Sequence, residues 1–196
     1  ELHEIPPNGQ GLMALISLGI LEQCHSRDLT LDSADSVHLQ IEAQRIAYAD
    51  AERHLADIAH MRTSVDALLD ETYLKERAHS INLRATNPHP TALGAAPDTV
   101  YLTTADASGM MVSMIQSNFR GFGSGIVVPG TGISLQNRGS GFVLEDGHPN
   151  QVGPGKRPYH TIIPGFISRN NQPFMGFGVM GGHMQAQGHL QMMLRV

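Results

Sequence analysis

The first half of the chain has its hydrophobic residues at helical spacing. An apolar segment runs over residues 11–23 and follows the turn sequence Pro6-Pro7-Asn8-Gly9. A longer helix is predicted from about Ser33, whose hydroxyl can cap it, to about residue 55, because its apolar positions form a broad stripe typical of a packed helix. A third helix is predicted after Asp70. The pattern therefore predicts three helices before residue 80.

From residue 99 onward the pattern changes to short strands. Residues 100–105 and 111–116 flank the turn sequence Asp106-Ala107-Ser108-Gly109, which predicts a β-hairpin. The last apolar segment, residues 184–194, returns to helical spacing and predicts a C-terminal helix. Further strands are predicted at residues 125–128, 133–135, 161–167 and 173–179.

The two halves also differ in composition, and the boundary between them lies at Thr99. Residues 1–98 hold 15 acidic and 7 basic side chains with four glycines, whereas residues 99–196 hold 3 acidic and 6 basic side chains with 17 glycines. Proline and glycine cluster over residues 87–97, where an extended and exposed linker is expected. We therefore divide the chain into a helical part that includes this linker, residues 1–98, and a β-rich part, residues 99–196.

A threonine that opens a strand at such a boundary suggests a specific chemistry. In an N-terminal-nucleophile hydrolase the chain is cut before the nucleophile, and the freed α-amine then activates that residue's own side chain. Thr99 occupies such a position. The alternative is that Thr99 is an ordinary β-branched residue at the start of a strand. Position by itself does not decide between the two.

Composition and motifs argue against several other classes of function. The net charge of −5, without a basic run, argues against a nucleic-acid partner, and no apolar stretch is long enough to span a membrane. The single cysteine, Cys24, rules out an internal disulfide. The eleven histidines lack a metal-ligand spacing, the glycines of residues 121–125 lack a nucleotide-binding spacing, and no G-x-S-x-G motif occurs. No metal and no cofactor are expected.

Several motifs, in one order along the chain, resemble the γ-glutamyltranspeptidase family. Residues 122–133, Gly155-Lys156-Arg157-Pro158 and Gly181-Gly182 are similar to its small subunit, and Pro6-Pro7-Asn8-Gly9 and residues 33–50 are similar to the end of its large subunit. The resemblance covers nearly the whole chain and places Thr99 at the family's catalytic threonine. It implies an α+β fold, part of the four-layer αββα sandwich of N-terminal-nucleophile hydrolases. It also implies a fragment that spans the end of the large subunit and most of the small subunit.

The resemblance further implies a reaction and the residues that carry it out. Thr99 would attack the carbonyl of Asp98, cut the Asp98–Thr99 bond, and then take the acyl group of an amide or γ-glutamyl substrate. Ser117 matches the family's hydroxyl residue that hydrogen-bonds the nucleophile. Gly181 and Gly182 match the pair whose amides stabilise the oxyanion. The implied product is a heterodimer of large and small subunits, and a homo-oligomer of it remains open.

The departures from the family's pattern concern the substrate. Phe119, Arg138 and Gly141 stand where the family holds the α-amine of a glutamyl donor, so an ammonium group would be repelled. His160 and Thr161 replace the two serines that usually receive the α-carboxylate. We therefore expect an acylase that prefers an acyl group without a free α-amine, related to glutaryl-type acylases, with a carboxylate bound by Arg138. The alternative is that Arg138 is a solvated loop residue.

Two classes of function remain. The favoured one is a γ-glutamyltranspeptidase-like hydrolase or acyltransferase that acts on glutathione-type γ-glutamyl or glutaryl-type acyl substrates. The alternative is a non-catalytic or unprocessed family member with a structural or binding role. This fragment by itself is expected to be inactive, because in the family a further substrate-binding arginine comes from the large subunit. The sequence leaves the acyl acceptor and the cellular compartment undetermined.

Overall fold

The computed structural model describes residues 1–82, 84 and 99–196. The linker predicted over residues 87–97 and the predicted cleavage residue Asp98 lie outside the described residues.

Helices account for most of the described part of the first half and for the end of the chain. The hydroxyl of Ser33 accepts a hydrogen bond from the amide of Ser36 at 3.3 Å and so caps the longest helix. The three helices predicted before residue 80 are confirmed, as is the C-terminal one. In the described residues the α-helices are α1 (Gly11–Gln23), α2 (Ala34–His54), α3 (Val65–Leu68), α4 (Glu71–His79) and α5 (Gln185–Arg195).

Helix α1 lies at the centre of the hydrophobic core. Its Met13, Ile16 and Ile20 are at most 1% exposed, because α2, α4 and α5 all pack against α1. Burial of each such side chain contributes about 1.5–3 kcal/mol to folding. The core therefore joins helices of the first half to the last helix of the chain. None of the helices in the described ranges has both the length and the apolar character needed to cross a membrane.

The strands form two sheets, and one of them contains both halves of the chain. Strand β1 (Leu2–His3) pairs with β4 (Gly165–Arg169), which pairs with β5 (Gln172–Phe177), all antiparallel. Strands β2 (Thr99–Ala105) and β3 (Met111–Ser117) form the predicted hairpin. Strand β1 was not predicted, because two residues are too few to show the alternation of apolar and polar positions that marks a strand. The predicted α+β class is confirmed.

The hairpin lies against β5 and the residues that follow it. The Tyr101 ring packs on Gly178, where an added Cβ would lie only 2.5 Å from the ring. Thr103 approaches Gly176 in the same way, with its Oγ1 2.7 Å from the position of an added Cβ. The hydroxyl of Ser113 donates a hydrogen bond to the carbonyl of Phe177 at 3.2 Å. Glycine is needed at 176 and 178 because the two sheets approach closely there.

Three of the predicted strands differ from the structure. Residues 125–128 and 133–135 form a loop with one antiparallel bridge, Val127 to Ser134, and several of its glycines have positive φ, which interrupts a strand. The strand predicted at 161–167 begins only at Gly165. Before it, backbone groups bond to side chains and not to a neighbouring strand: the Thr161 carbonyl accepts from the Gln10 side chain at 2.5 Å, and the amides of residues 162 and 163 also donate to side chains.

Candidate active site

Thr99 and Ser117 occupy paired positions at one end of the hairpin. Thr99 is the first residue of β2, and the strand register sets its Cα opposite that of Ser117. Thr99 Oγ1 is buried and has no hydrogen-bond partner among the described residues. Ser117 Oγ accepts a hydrogen bond from the amide of Phe119 at 2.9 Å. The structure thus places the predicted nucleophile opposite Ser117. The hydrogen bond from Ser117 to the nucleophile stays a prediction.

Gly181 and Gly182 form a tight loop between β5 and α5. Their φ angles are +148° and +61°, a backbone conformation that residues with a side chain rarely adopt, and a Cβ on Gly181 would also displace the flexible end of Met184. Helix α5 begins at Gln185, so the paired amides stand near its positive end. Neither amide donates a hydrogen bond to an acceptor in the described part of the chain. Free amides near a helix N-terminus are suited to an oxyanion.

The packing of the hairpin indicates where Thr99 lies relative to this loop. Tyr101 packs on Gly178 and Thr103 on Gly176. A move of two residues forward along β2 therefore corresponds to a move of two residues back along residues 176–178, so the two segments run antiparallel. By the same relation Thr99, two residues before Tyr101, corresponds to Met180, the residue before Gly181. Extending this register by one step predicts that the start of β2 lies near the glycine loop.

A pocket of about 200 Å³ contains Arg138 in its wall. Arg138 is 3% exposed; its Nη1 donates to Thr161 Oγ1 at 2.7 Å, and its Nη2 is buried without a partner among the described residues. Burial lowers the pKa of Arg138 to about 10, so the side chain still carries its charge at neutral pH. The solvated alternative for Arg138 is therefore wrong. The lining residues are Phe119, Arg120, Arg138, Ser140, Gly141, Phe142, Val143, Tyr159, Thr161 and His183.

Two guanidinium groups lie against the ring of Phe119 at this pocket. The guanidinium carbons of Arg138 and Arg120 lie 4.7 Å and 5.1 Å from the centroid of its ring. Phe119 has φ +78°, a backbone conformation that bulky residues rarely adopt. Asn137 holds the neighbouring backbone: its Oδ1 accepts from the Arg120 amide at 3.1 Å and its Nδ2 donates to the Arg120 carbonyl at 3.2 Å. The arrangement of the three side chains is therefore fixed by the loop.

His160 and Thr161 lie next to each other in the chain but differ in position. Thr161 lines the pocket, whereas His160 is not among the lining residues. His160 Nδ1 accepts a hydrogen bond from the amide of Ile162 at 3.3 Å, as a neutral imidazole can. Burial, and to a smaller extent the charge of Arg138, lowers the pKa of His160 to about 4. His160 is therefore uncharged at neutral pH.

This low pKa predicts a loss of stability in mild acid. As the pH falls below about 6.5, His160 becomes protonated in the unfolded chain, whereas in the folded chain it stays neutral until about pH 4. The uptake of a proton stabilises the unfolded chain, so folding stability is lost across that window. Between pH 7 and pH 5 this amounts to about 2 kcal/mol. From pH 7 to pH 5 the free energy of unfolding should therefore fall less in the His160→Gln variant than in the wild type, by that amount. Urea unfolding at both pH values measures the difference. His79→Gln, on an exposed position of α4, is the control. An equal loss in wild type and His160→Gln would contradict the prediction.

Gln10 is a component of the site that the sequence analysis missed. Its side chain is fully buried and its Nε2 donates to the carbonyls of Thr161 and Gly182, at 2.5 and 2.8 Å. Its Oε1 accepts from the Tyr159 hydroxyl at 2.6 Å, and the Tyr159 ring stacks on His183. Gln10 thus ties the first half of the chain to both the pocket and the glycine loop. The only signal in the sequence was its position directly after Pro6-Pro7-Asn8-Gly9.

Metal-ligand side chains do not cluster in the described part of the chain. Within it, no group of three or more histidine, cysteine, aspartate or glutamate side chains is placed to hold a metal ion.

Comparison with known proteins relates this arrangement to a family of enzymes. The family model described as gamma-glutamyltranspeptidase matches residues 1–196. An oxamate amidohydrolase proenzyme of Klebsiella pneumoniae is 39% identical over 186 residues, and a glutathione hydrolase-like proenzyme of Bacillus subtilis is 35% identical over 187 residues. Each of these alignments covers 95% of this chain and 35% of the relative, so the chain spans about a third of their length.

A solved structure agrees closely in fold. The crystal structure of a cephalosporin acylase from Bacillus halodurans superimposes with a TM-score of 0.87 and is 48% identical, covering 99% of this chain and 35% of that one. The N-terminal-nucleophile hydrolase fold implied by the sequence motifs is thereby confirmed for this part of the molecule.

Proposed function

The chain belongs to the γ-glutamyltranspeptidase family, and on that premise we propose that the full-length protein is an amide hydrolase that cuts itself before Thr99 and then carries acyl groups on the Thr99 hydroxyl. The observation that supports this most directly is the position of Thr99, which opens β2 opposite Ser117. The register of β2 against Gly176 and Gly178, extended by one step, leads to the residue before the glycine loop. Cutting yields a heterodimer, with residue 98 ending one subunit and Thr99 beginning the other.

The proposed maturation needs only the chain and water. Thr99 Oγ attacks the carbonyl carbon of Asp98, the peptide C–N bond breaks, and an ester and a free α-amine result. Water hydrolyses the ester and leaves a carboxylate on Asp98. The new amine has a pKa near 8, so near neutral pH part of it is unprotonated and able to accept a proton from the adjacent hydroxyl, which a peptide nitrogen cannot.

In turnover the same hydroxyl attacks the substrate amide. The amine of Thr99 takes the hydroxyl proton and passes it to the departing amine of the substrate, and the amides of Gly181 and Gly182 stabilise the oxyanion of the tetrahedral intermediate. Water, or a second amine, then removes the acyl group. The reaction is hydrolysis when water attacks the acyl group on Thr99, and acyl transfer when a second amine does.

The pocket supports an acyl group that carries a carboxylate. Arg138 places a buried positive charge there, with Nη2 left without a described partner, and a carboxylate could pair with it in a charge-assisted hydrogen bond. Gly141 offers no charge to hold an ammonium group, and Arg138 would repel one. One relative is named for oxamate, in which a carboxylate is attached directly to the amide carbon. Amides of dicarboxylic acids without a free α-amine, such as glutaryl amides, are thus favoured over γ-glutamyl amides.

Cleavage and substrate preference can be tested on the full-length protein. Denaturing electrophoresis should show two fragments, and N-terminal sequencing of the smaller one should begin at Thr99. Among the p-nitroanilides of glutarate, butyrate and γ-glutamate, which have acyl chains of similar length, we expect the glutaryl compound to be hydrolysed at least about 10-fold faster, as a pairing energy of 1.4 kcal/mol requires. An uncut chain would contradict the nucleophile assignment. Preference for the γ-glutamyl compound would contradict the substrate assignment.

A further inference from the structure

Two side chains of the helical part donate hydrogen bonds to the backbone at the glycine loop. We propose that these two residues, Tyr48 and Gln10, are positioning residues, which fix the direction of the amides of Gly181 and Gly182 toward the oxyanion. The inference rests on the proposed function. After cleavage before Thr99, the oxyanion amides of one subunit would then depend on hydrogen bonds from the other subunit.

The glycine loop needs support from outside because its backbone is permissive. Gly181 and Gly182 have positive φ, and glycine has no side chain that restricts its φ and ψ. Donors stabilise an oxyanion best when they point at it before it forms, because turning them during the reaction costs free energy. The direction of these two amides must therefore be set by contacts of the neighbouring peptide groups.

Tyr48 acts through two peptide planes. Its hydroxyl donates to the carbonyl of His183, which lies in the same peptide plane as the amide of Met184. The Met184 amide donates to the carbonyl of Gly181 at 3.2 Å, and this carbonyl shares its peptide plane with the amide of Gly182. The hydrogen bond from Tyr48 therefore restrains the Gly182 amide. Burial raises the pKa of Tyr48 to about 12, so the hydroxyl remains a donor at neutral pH.

Gln10 restrains the peptide plane on the other side of Gly182. Its Nε2 donates to the Gly182 carbonyl at 2.8 Å, and the amide of Gln185, at the start of α5, donates to the same carbonyl. Rotation of the Gln10 amide would break two further hydrogen bonds, to the carbonyl of Thr161 and from the hydroxyl of Tyr159. Both peptide planes that meet at Gly182 are thus held, one by each side chain.

The main test removes a single hydroxyl. Tyr48→Phe keeps the ring that packs against the core and loses the hydrogen bond to the His183 carbonyl. With the full-length protein and glutaryl p-nitroanilide, and with rates expressed per cleaved chain, we expect kcat to fall about 10-fold. KM should change by less than about 2-fold, because the oxyanion forms only in the transition state. Gln10→Met, which keeps the side-chain length and removes its hydrogen bonds, should shift kcat in the same direction.

A tetrahedral inhibitor gives a second measurement. In this inhibitor a boronic acid group replaces one carboxyl group of glutaric acid. Thr99 Oγ forms a bond to boron, its proton passes to the α-amine, and the tetrahedral boronate places an oxygen at the oxyanion position. The inhibition constant should rise about 10-fold in Tyr48→Phe. That of butyrate, which keeps one carboxylate and has no group at the oxyanion position, should not change, whereas a general disturbance of the pocket would weaken both.

Tyr73→Phe is the matched control, because Tyr73 also lies in the helical part and accepts a hydrogen bond from Arg77 at 2.8 Å. It should match the wild type in both measurements. The inference is overturned if Tyr48→Phe keeps the wild-type kcat, if both inhibitors weaken equally, or if the variant stays uncut, which would assign the hydroxyl to folding or maturation. A wild type that is not cut and does not hydrolyse the anilide instead overturns the proposed function, and this inference with it.

Discussion

Replacing Thr99 with alanine is expected to leave the full-length protein as a single uncut chain without amidase activity. The variant lacks the oxygen that must attack both the Asp98 carbonyl and the substrate. Loss of a nucleophile from a concerted set of catalytic groups lowers kcat by at least about 10,000-fold, leaving only what binding and the oxyanion amides provide. Electrophoresis measures the cleavage, and hydrolysis of glutaryl p-nitroanilide measures the activity.

Two further variants make this result specific. Thr99→Ser keeps a hydroxyl and an α-amine at the same place, so cleavage before residue 99 and measurable hydrolysis should both remain. Thr103→Ala removes a threonine hydroxyl from the same strand, where it donates to the carbonyl of Val112 at 2.9 Å. That variant should be cut and active like the wild type. Cleavage of Thr99→Ala at residue 99 would show that another group attacks Asp98.

Replacing Arg138 with methionine is expected to lower kcat/KM for glutaryl amides by about 100-fold without lowering stability. A charge-assisted hydrogen bond to a carboxylate contributes about 1.5–3 kcal/mol, which corresponds to a factor of this size. Stability should be maintained because Arg138 is a buried charge without an acidic partner in the described residues, and apolar replacement of such a group is often neutral or stabilising. The variant loses one hydrogen bond, from Nη1 to Thr161 Oγ1.

The matched control for Arg138 is a substrate. Butyryl p-nitroanilide keeps the three carbons that follow the amide carbonyl in the glutaryl compound and lacks the terminal carboxylate, so its hydrolysis should not fall in Arg138→Met. Urea unfolding at pH 7 measures the stability. An equal loss of activity toward both substrates would mean that Arg138 supports the fold of the site and does not recognise a carboxylate.

The elements that could be predicted are those whose signal is local. The bounds of α1 follow from a mainly apolar segment after a turn, and the start of α2 from the Ser33 cap. The hairpin follows from alternation around Asp106-Ala107-Ser108-Gly109. Strand β1 and the role of Gln10 could not be predicted, because each depends on partners more than 150 residues away.

The strands wrongly predicted at 125–128 and 133–135 show a different limit of local pattern. Their apolar residues suggested strands, but positive φ at Gly125, Gly130 and Gly132 turns the backbone into a loop with a single bridge. Strand propensity describes how a residue fits a sheet that already exists. In this segment the described structure provides no neighbouring strand beyond that bridge.

The amino-acid sequence by itself determined the helical and strand-rich halves, the family, and Thr99 as the candidate nucleophile, since these follow from periodicity, turn residues and motifs that neighbouring residues form together. Only the tertiary structure decided that Arg138 is buried in a pocket, that Arg120 shares Phe119 with it, and that Gln10 joins the pocket to the glycine loop. The physical reason is that burial, and with it charge pairing and pKa, depends on which distant segments fold against a residue.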